Sequence, residues 1–187
     1  MKMSVSDQFS VDFVGVAGSD ELIENAQIIF RIHAPLFVLR EFAKHNLQVI
    51  FNETPIRDFE LEPLFYMPSL NRGLVRINGK YDTGDLKVYA GTAQLISAVY
   101  ETCWTTYKTI LSQGVSEEIA SMCLPVAIYS KAHVTMGVND MLAFLASKNL
   151  NYEYEQIRNL VEKLFEKRFP LAYAAYIQRM KEIDNGR

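Results

Sequence analysis

The hydrophobic pattern of the chain changes its period near Pro35. Before this residue, apolar and polar side chains alternate over Ala26–Ile32, and this period of two is typical of a half-buried strand. Ser10–Val16 is a second apolar segment, and turn residues separate it from the first. After Pro35, Leu36 and Leu39 recur at helical spacing. The pattern therefore predicts two strands, followed by an amphipathic helix whose first residue is Pro35.

The second half of the chain carries helical patterns. Apolar positions predict a long helix that ends at Gly114, a second helix capped by Ser116, and a third capped by Asn139 or Asp140. Two further amphipathic segments complete the chain. Because strands are grouped early and helices late, we expect an α+β fold with a small sheet and a C-terminal helical set. At this length, one domain over residues 1–187 is expected.

Composition excludes several classes of protein. The net charge of −3 and the pI of about 5.7 argue against a large nucleic-acid interface. No apolar run approaches the length of a membrane span, and Met1–Asp7 shows no secretory signal, so a cytoplasmic protein is expected. The 2 cysteines cannot form a four-thiolate zinc site, and the 3 histidines lack metal-ligand spacing, so no metal is expected.

One segment carries the opposite charge to the whole chain. Between Arg31 and Arg57 there are four arginines or lysines and two glutamates, a local net charge of +2. Cations that converge on one pocket bind a small anion such as a phosphate. A solvated helix face is the alternative, since Arg40 and Lys44 lie four residues apart on one helix.

No nucleophile motif is present. The chain has no G-x-S-x-G, G-x-G-x-x-G or P-loop sequence. Cys103 lies on the apolar stripe of the long helix, where a buried and inert thiol is expected.

Several motifs occur together in one order along the chain. The run Phe30–His45 contains Ala-Pro-Leu-Phe-Val and is followed by Asn52-Glu53, by Arg57 and by Phe65-Tyr66-Met67-Pro68. Gly114–Pro125 then carries Gly-Val-x-x-Glu-x-Ala and ends in Leu-Pro. This arrangement resembles the flavin-dependent thymidylate synthases over most of the chain.

The resemblance implies a reaction and an assembly. In that family a homotetramer builds its sites between subunits, and reduced FAD relays a one-carbon unit from methylenetetrahydrofolate to C5 of dUMP. No protein nucleophile is expected, so no catalytic residue is assigned. Positioning and electrostatics would then supply catalysis.

The resemblance also implies nucleotide-binding positions. Arg57 stands where the family has an arginine that holds the nucleotide phosphate, and Glu41 stands where it commonly has a glutamine near the nucleotide. Lys148 and Ser121 replace arginines. The implied nucleotide-binding set is Arg57, Glu53, Glu41, Lys148 and Ser121.

The implied cofactor-binding set is Lys44, His45, Asn46 and Asn52. His45 stands at the histidine of the family's Arg-His-Arg signature, and Lys44 and Asn46 replace its arginines. Two asparagines that help to hold the flavin in the family appear here as Gly137 and Ala143.

The predicted function is one-carbon transfer to C5 of a pyrimidine nucleotide, with a methyl or a hydroxymethyl product. Glu41 would accept a hydrogen bond from an amine such as that of cytosine, so dUMP and dCMP both stay open as substrates. Because arginines are lost, a non-catalytic nucleotide-binding or scaffold paralogue without a flavin site is the alternative. A third possibility is an unrelated small α+β binding domain.

Overall fold

The computed structural model describes residues 4–17, 27–44, 49–53, 63–77, 80–82, 85–147 and 151–185. Its strands are β1 (Ser4–Ser6), β2 (Ser10–Ala17), β3 (Gln27–Pro35), β4 (Val49–Glu53), β5 (Leu64–Tyr66), β6 (Val75–Ile77), β7 (Lys80–Asp82) and β8 (Tyr129–Gly137). Its helices are α1 (Leu36–Lys44), α2 (Leu86–Ser112), α3 (Glu117–Ala120), α4 (Val138–Ala146), α5 (Tyr152–Arg168) and α6 (Pro170–Asn185). Two 3-10 turns span Leu70–Arg72 and Ser121–Cys123.

A four-stranded sheet in the order β2-β3-β8-β4 is the largest of the described sheets. β2 and β3 pair antiparallel, with an irregularity in register between Phe13 and Gly15. Burial alternates along β3 and β8, because successive side chains of a strand point to opposite faces. The smaller sheets pair β1 with β5 in parallel and β6 with β7 in antiparallel orientation.

The chain divides into two compact units. The first comprises Met1–Gln8, Ala34–Leu39 and Glu53–Lys131. Its core contains Leu36, Phe65, Tyr100 and Ile128. The Phe65 and Tyr100 rings stack with centroids 4.8 Å apart, and the Tyr100 hydroxyl donates to the Tyr66 carbonyl at 2.8 Å.

The second unit comprises Phe9–His33, Arg40–Asn52 and Ala132–Arg187. Its buried side chains come from β3, β8, α4 and α5, and include Phe30, Val134, Phe144, Ile157 and Phe165. A single domain over residues 1–187 stays a prediction.

The structure corrects several element boundaries. Pro35 ends β3 instead of opening α1, which begins at Leu36. α4 is capped by Gly137 rather than by Asn139 or Asp140. Gly114 follows the long helix with a φ of +79°, so the prediction that a glycine ends it is confirmed.

The order of strands and helices is less segregated than the sequence pattern indicates. β8 lies in the helical half of the chain, yet it is an inner strand of the four-stranded sheet. Among the described residues, no helix combines the length and the apolar character needed to cross a membrane.

Candidate functional site

Four of the nine predicted site residues lie outside the described residues: His45, Asn46, Arg57 and Lys148. Three more are placed by their elements alone. Lys44 is the last residue of α1, and Asn52 and Glu53 are the last two residues of β4, the edge strand beside β8. The side chains of Glu41 and Ser121 are described, and these two residues belong to different units.

Glu41 lies half-buried on α1, after the fully buried Val38 and Leu39 and beside the exposed Arg40. The charge of the Glu41 carboxylate also affects the pKa of a tyrosine of α5. Burial, and secondarily the charge of Glu41, raise the pKa of Tyr154. Tyr154 therefore keeps its proton at neutral pH, so its hydroxyl is not a general base.

The start of α5 is more buried than the sequence indicates. The Asn151 side chain accepts a hydrogen bond from the Tyr154 backbone N–H at 2.8 Å and so caps the helix. Tyr154 is fully buried and meets the Phe144 ring edge-on, with the ring centroids 5.5 Å apart. Glu153 is buried as well, in the first turn, where a helix favours a negative charge.

Arg158 links α5 to the end of α4. Its Nη1 donates to the Ser147 carbonyl at 3.1 Å, and Ser147 is the C-cap of α4. Its Nη2 lies 3.2 Å from Asn159 Oδ1 and 3.4 Å from Glu155 Oε1. A cation that donates to the last carbonyl of a helix stabilises that helix end. The sequence gives no signal for this contact, because no spacing rule connects Arg158 to Ser147.

The Ser121 side chain makes a hydrogen bond within its own turn. Its hydroxyl donates to the Glu118 carbonyl at 2.9 Å, within the turn that follows α3. Nearby, the Tyr107 hydroxyl donates to Glu117 Oε1 at 3.1 Å. Burial, together with this hydrogen bond, raises the pKa of Tyr107 to about 12. A serine whose hydroxyl serves its own turn is a poor substitute for an arginine fork.

Gly137 and Ala143 test how well the described residues fit a flavin. Gly137 caps α4 and carries no side chain, and an added Cβ would lie 3.5 Å from Asp140 Oδ2. Ala143 lies exposed on α4 without a polar group. Neither position supplies the amide that the resemblance implies, so a flavin would have to be held by other residues.

The Cys123 thiol contacts two backbone carbonyls. Cys123 Sγ lies 3.1 Å from the Ala120 carbonyl and 3.6 Å from the Cys103 carbonyl. Cys103 is partly exposed rather than buried, which corrects the expectation for its place on the apolar stripe. Within the described ranges, no group of three or more His, Cys, Asp or Glu side chains could hold a metal ion.

Comparison with known proteins places these observations in a family. Residues 6–171 match the thymidylate synthase complementing protein family. The chain belongs to this family. The family predicted from the sequence motifs is therefore confirmed.

Two relatives in this family illustrate the likeness. The flavin-dependent thymidylate synthase of Tropheryma whipplei (strain TW08/27) is 29% identical over 167 residues, which cover 82% of this chain and 69% of the relative. The flavin-dependent thymidylate synthase of Streptomyces avermitilis is 31% identical over 167 residues, with 82% and 68% covered.

Solved structures share the fold. The UMP/dUMP methylase PolB from Streptomyces cacaoi, bound with 5-Br UMP, superposes with a TM-score of 0.82 at 21% identity, covering 94% of this chain and 96% of the methylase. Its complex with 5-Br dUMP gives a TM-score of 0.80. The predicted α+β fold of this family is confirmed.

Proposed function

We propose that this family member transfers a one-carbon unit from methylenetetrahydrofolate to C5 of a pyrimidine nucleotide. The family match over residues 6–171 carries the proposal. The relatives named as flavin-dependent thymidylate synthases and the fold shared with a UMP/dUMP methylase support the same chemistry. dUMP is the first candidate substrate, and dCMP is the second.

The nucleotide is held by Arg57, Glu53, Glu41, Lys148 and Ser121. Arg57 binds the phosphate, because a guanidinium offers two parallel donors to an anion. Glu53 ends β4 in the same cationic stretch of sequence. Ser121 contributes least, since its hydroxyl already donates to the Glu118 carbonyl.

Glu41 selects the base. An ionised carboxylate only accepts hydrogen bonds, so it pairs with the exocyclic amine of cytosine and repels the O4 carbonyl of uracil. An amide both donates and accepts. Glu41→Gln should therefore shift preference from dCMP towards dUMP, whereas Glu101→Gln, an exposed position on α2, should shift nothing. Equal affinities of Glu41→Gln and the wild type for both nucleotides would remove Glu41 from the site.

The cofactors are FAD and methylenetetrahydrofolate. By the resemblance, Lys44, His45, Asn46 and Asn52 would hold the flavin, while Gly137 and Ala143 have no side-chain amide to contribute. When bound, reduced FAD supplies the hydride that a methyl product requires. A hydroxymethyl product ends with water and needs no net hydride. The protein's own part in either case is to bind and orient the reacting molecules.

The proposed enzyme is a homotetramer with its sites between subunits, and it acts in the cytoplasm. The resemblance of its motifs to the flavin-dependent thymidylate synthases supports the assembly.

Ligand binding tests the proposal. The absorption spectrum of the purified protein, with FAD added where none co-purifies, reports the flavin, and calorimetry with dUMP, UMP and dCMP reports the nucleotide. Arg57→Ala should cost about 1.5–3 kcal/mol of nucleotide binding, the value of a charge-assisted hydrogen bond. Arg179→Ala, on the exposed side of α6, is the matched control. Absence of flavin and nucleotide binding would contradict the proposal.

A non-catalytic paralogue is the second candidate. Ser121, Gly137 and Ala143 favour it, because each lacks the polar group that the resemblance implies. Tight nucleotide binding without turnover in the presence of FAD and methylenetetrahydrofolate would identify this candidate.

A further inference from the structure

The two cysteines of the chain come together from elements that lie apart in sequence. Cys103 is on α2, and Cys123 is the last residue of the 3-10 turn that follows α3. Both residues belong to the first compact unit, in which this turn packs against α2. The Cys123 thiol donates to the Cys103 carbonyl at 3.6 Å, across 20 residues of sequence. The thiol of one cysteine therefore contacts the backbone of the other.

This contact brings the two residues close to the separation that a disulfide needs. A carbonyl oxygen lies about 2.4 Å from its own Cα atom, so the Cys123 sulfur lies within about 6 Å of the Cys103 Cα atom. Two bonded cysteines have their Cα atoms about 4.4–6.8 Å apart. Cys123 ends a turn of three residues, so rotation of the two side chains and a small movement of this turn bring the sulfurs together.

Both thiols are accessible to a reagent. Cys103 and Cys123 are free and only partly buried. Thiol–disulfide exchange depends on access to the sulfur, and an apolar, fully buried thiol is inert. No metal competes for the pair in the described part of the chain, because no group of three or more His, Cys, Asp or Glu side chains there could hold one.

We propose that Cys103 and Cys123 form a reversible disulfide within one chain, with a low-molecular-weight disulfide such as glutathione disulfide as the oxidant. One cysteine thiolate attacks a sulfur of the oxidant, forms a mixed disulfide and releases one glutathione thiolate. The second cysteine thiolate attacks the protein sulfur of the mixed disulfide and releases the other. The two cysteines lose two electrons and two protons, and one glutathione disulfide becomes two glutathione thiols.

The fold favours the second step over a lasting mixed disulfide. The second thiol is held near the first, so its effective concentration is high compared with that of free glutathione. The resulting bridge ties the turn that contains Ser121 to α2, where the Tyr107 hydroxyl already donates to Glu117 Oε1 at 3.1 Å. A bridge that fits the native geometry stabilises a protein by restricting its unfolded chain. The oxidised protein should therefore be more stable than the reduced protein.

Thiol counting by mass spectrometry tests the bridge. The reduced full chain should react with two equivalents of N-ethylmaleimide under denaturing conditions, because it has 2 cysteines. After equilibration with glutathione disulfide it should react with none, and its mass should fall by that of two hydrogen atoms. A digest should then contain one peptide pair joined through Cys103 and Cys123. A lasting glutathione adduct, or a disulfide between two chains, would overturn the proposal.

The single variants Cys103→Ser and Cys123→Ser are the matched controls. Each keeps one thiol and lacks the second, so a glutathione adduct on it cannot be displaced within the chain. The wild-type chain should carry about tenfold less glutathione than either variant at the same concentration of glutathione disulfide. Circular dichroism checks that the variants fold. Equal amounts of adduct on the wild type and the variants would show that the two thiols do not reach each other.

Urea denaturation measures the effect of the bridge on stability. The midpoint of the wild-type protein should be higher in the oxidised than in the reduced form, and addition of dithiothreitol should reverse the change. The midpoints of the two single variants should not respond to the oxidant in this way. A lower midpoint for the oxidised wild type would contradict the inference, since the bridge would then distort the fold. No step involves a nucleotide or a flavin, so the outcome is independent of the proposed function.

Discussion

The two longest helices of the chain use their apolar residues differently. α5, with 17 residues, buries Tyr154, Ile157, Val161 and Phe165 inside its own unit. α2, with 27 residues, buries only Tyr100 and Tyr107 and leaves Leu95 exposed. Both helices have apolar residues on more than one side, but α5 buries more of them within the chain than α2 does. α5 therefore stabilises its unit by burial, whereas one side of α2 stays exposed.

The largest expected effect comes from truncating a core side chain of α5. Phe165→Ala should cost about 3–5 kcal/mol of unfolding free energy, because it opens a cavity beside Phe169 and Tyr173. Leu95→Ala should change it by less than about 0.5 kcal/mol at concentrations that dissociate any oligomer. Urea denaturation measures both. Similar losses at the two positions would contradict the contrast between the helices.

A smaller loss is expected at the polar contacts of α5. Arg158→Gln should cost about 1–2 kcal/mol, since it removes the charged donor at the Ser147 carbonyl and the side chain is largely buried. Lys163→Gln, exposed on the same helix, controls for the loss of a positive charge. The same denaturation experiment applies, and equal curves for the two variants would show that the link between α4 and α5 contributes nothing.

On α2, one polar contact is fully inside the unit. Tyr100→Phe should cost about 1 kcal/mol, because the Tyr66 carbonyl loses the donor that lies 2.8 Å away. Tyr89→Phe removes a comparable but partly exposed bond to the Pro68 carbonyl and should cost less. If Tyr89→Phe proves the more costly change, burial does not set the strength of these two bonds.

The last effect is expected only in alkali. The folded pKa of Tyr107 is about 12, above the ordinary value of 10.0, because burial and the Glu117 hydrogen bond favour the protonated form. Protonated Tyr107 makes its full contribution to the free energy of unfolding below pH 10. That contribution is lost as pH rises through 12, because the tyrosine ionises at lower pH in the unfolded chain than in the folded one. Tyr107→Phe should flatten that part of the stability curve, measured by denaturation between pH 8 and 12. A wild-type slope in the variant would assign the loss to other groups.

The local sequence pattern was sufficient to predict much of the fold. The alternation in Ala26–Ile32 predicted β3, and Gly114 was correctly placed after the long helix. Local sequence pattern did not predict β8 as a central strand. The reason is that the pairing partners of an inner strand lie far away in sequence. The pattern also misplaced the start of α4, since Gly137 caps that helix without a side-chain hydrogen bond.

The candidate site shows the same division. Motif order alone indicated the family and the positions Glu41, Ser121 and Arg57. The tertiary structure showed that the Ser121 hydroxyl donates within its own turn. It also showed the contact of Arg158 with the Ser147 carbonyl, 11 residues away in sequence, which joins α5 to the end of α4.

The sequence by itself determined the family, the α+β class and the cationic segment, because motif order, hydrophobic period and charge are local properties of a chain. Only the tertiary structure decided which helix faces are covered. The apolar residues of α2 and α5 are similar in kind, and burial depends on which other segments fold against them. That is why Phe165 is a core residue and Leu95 is a surface residue.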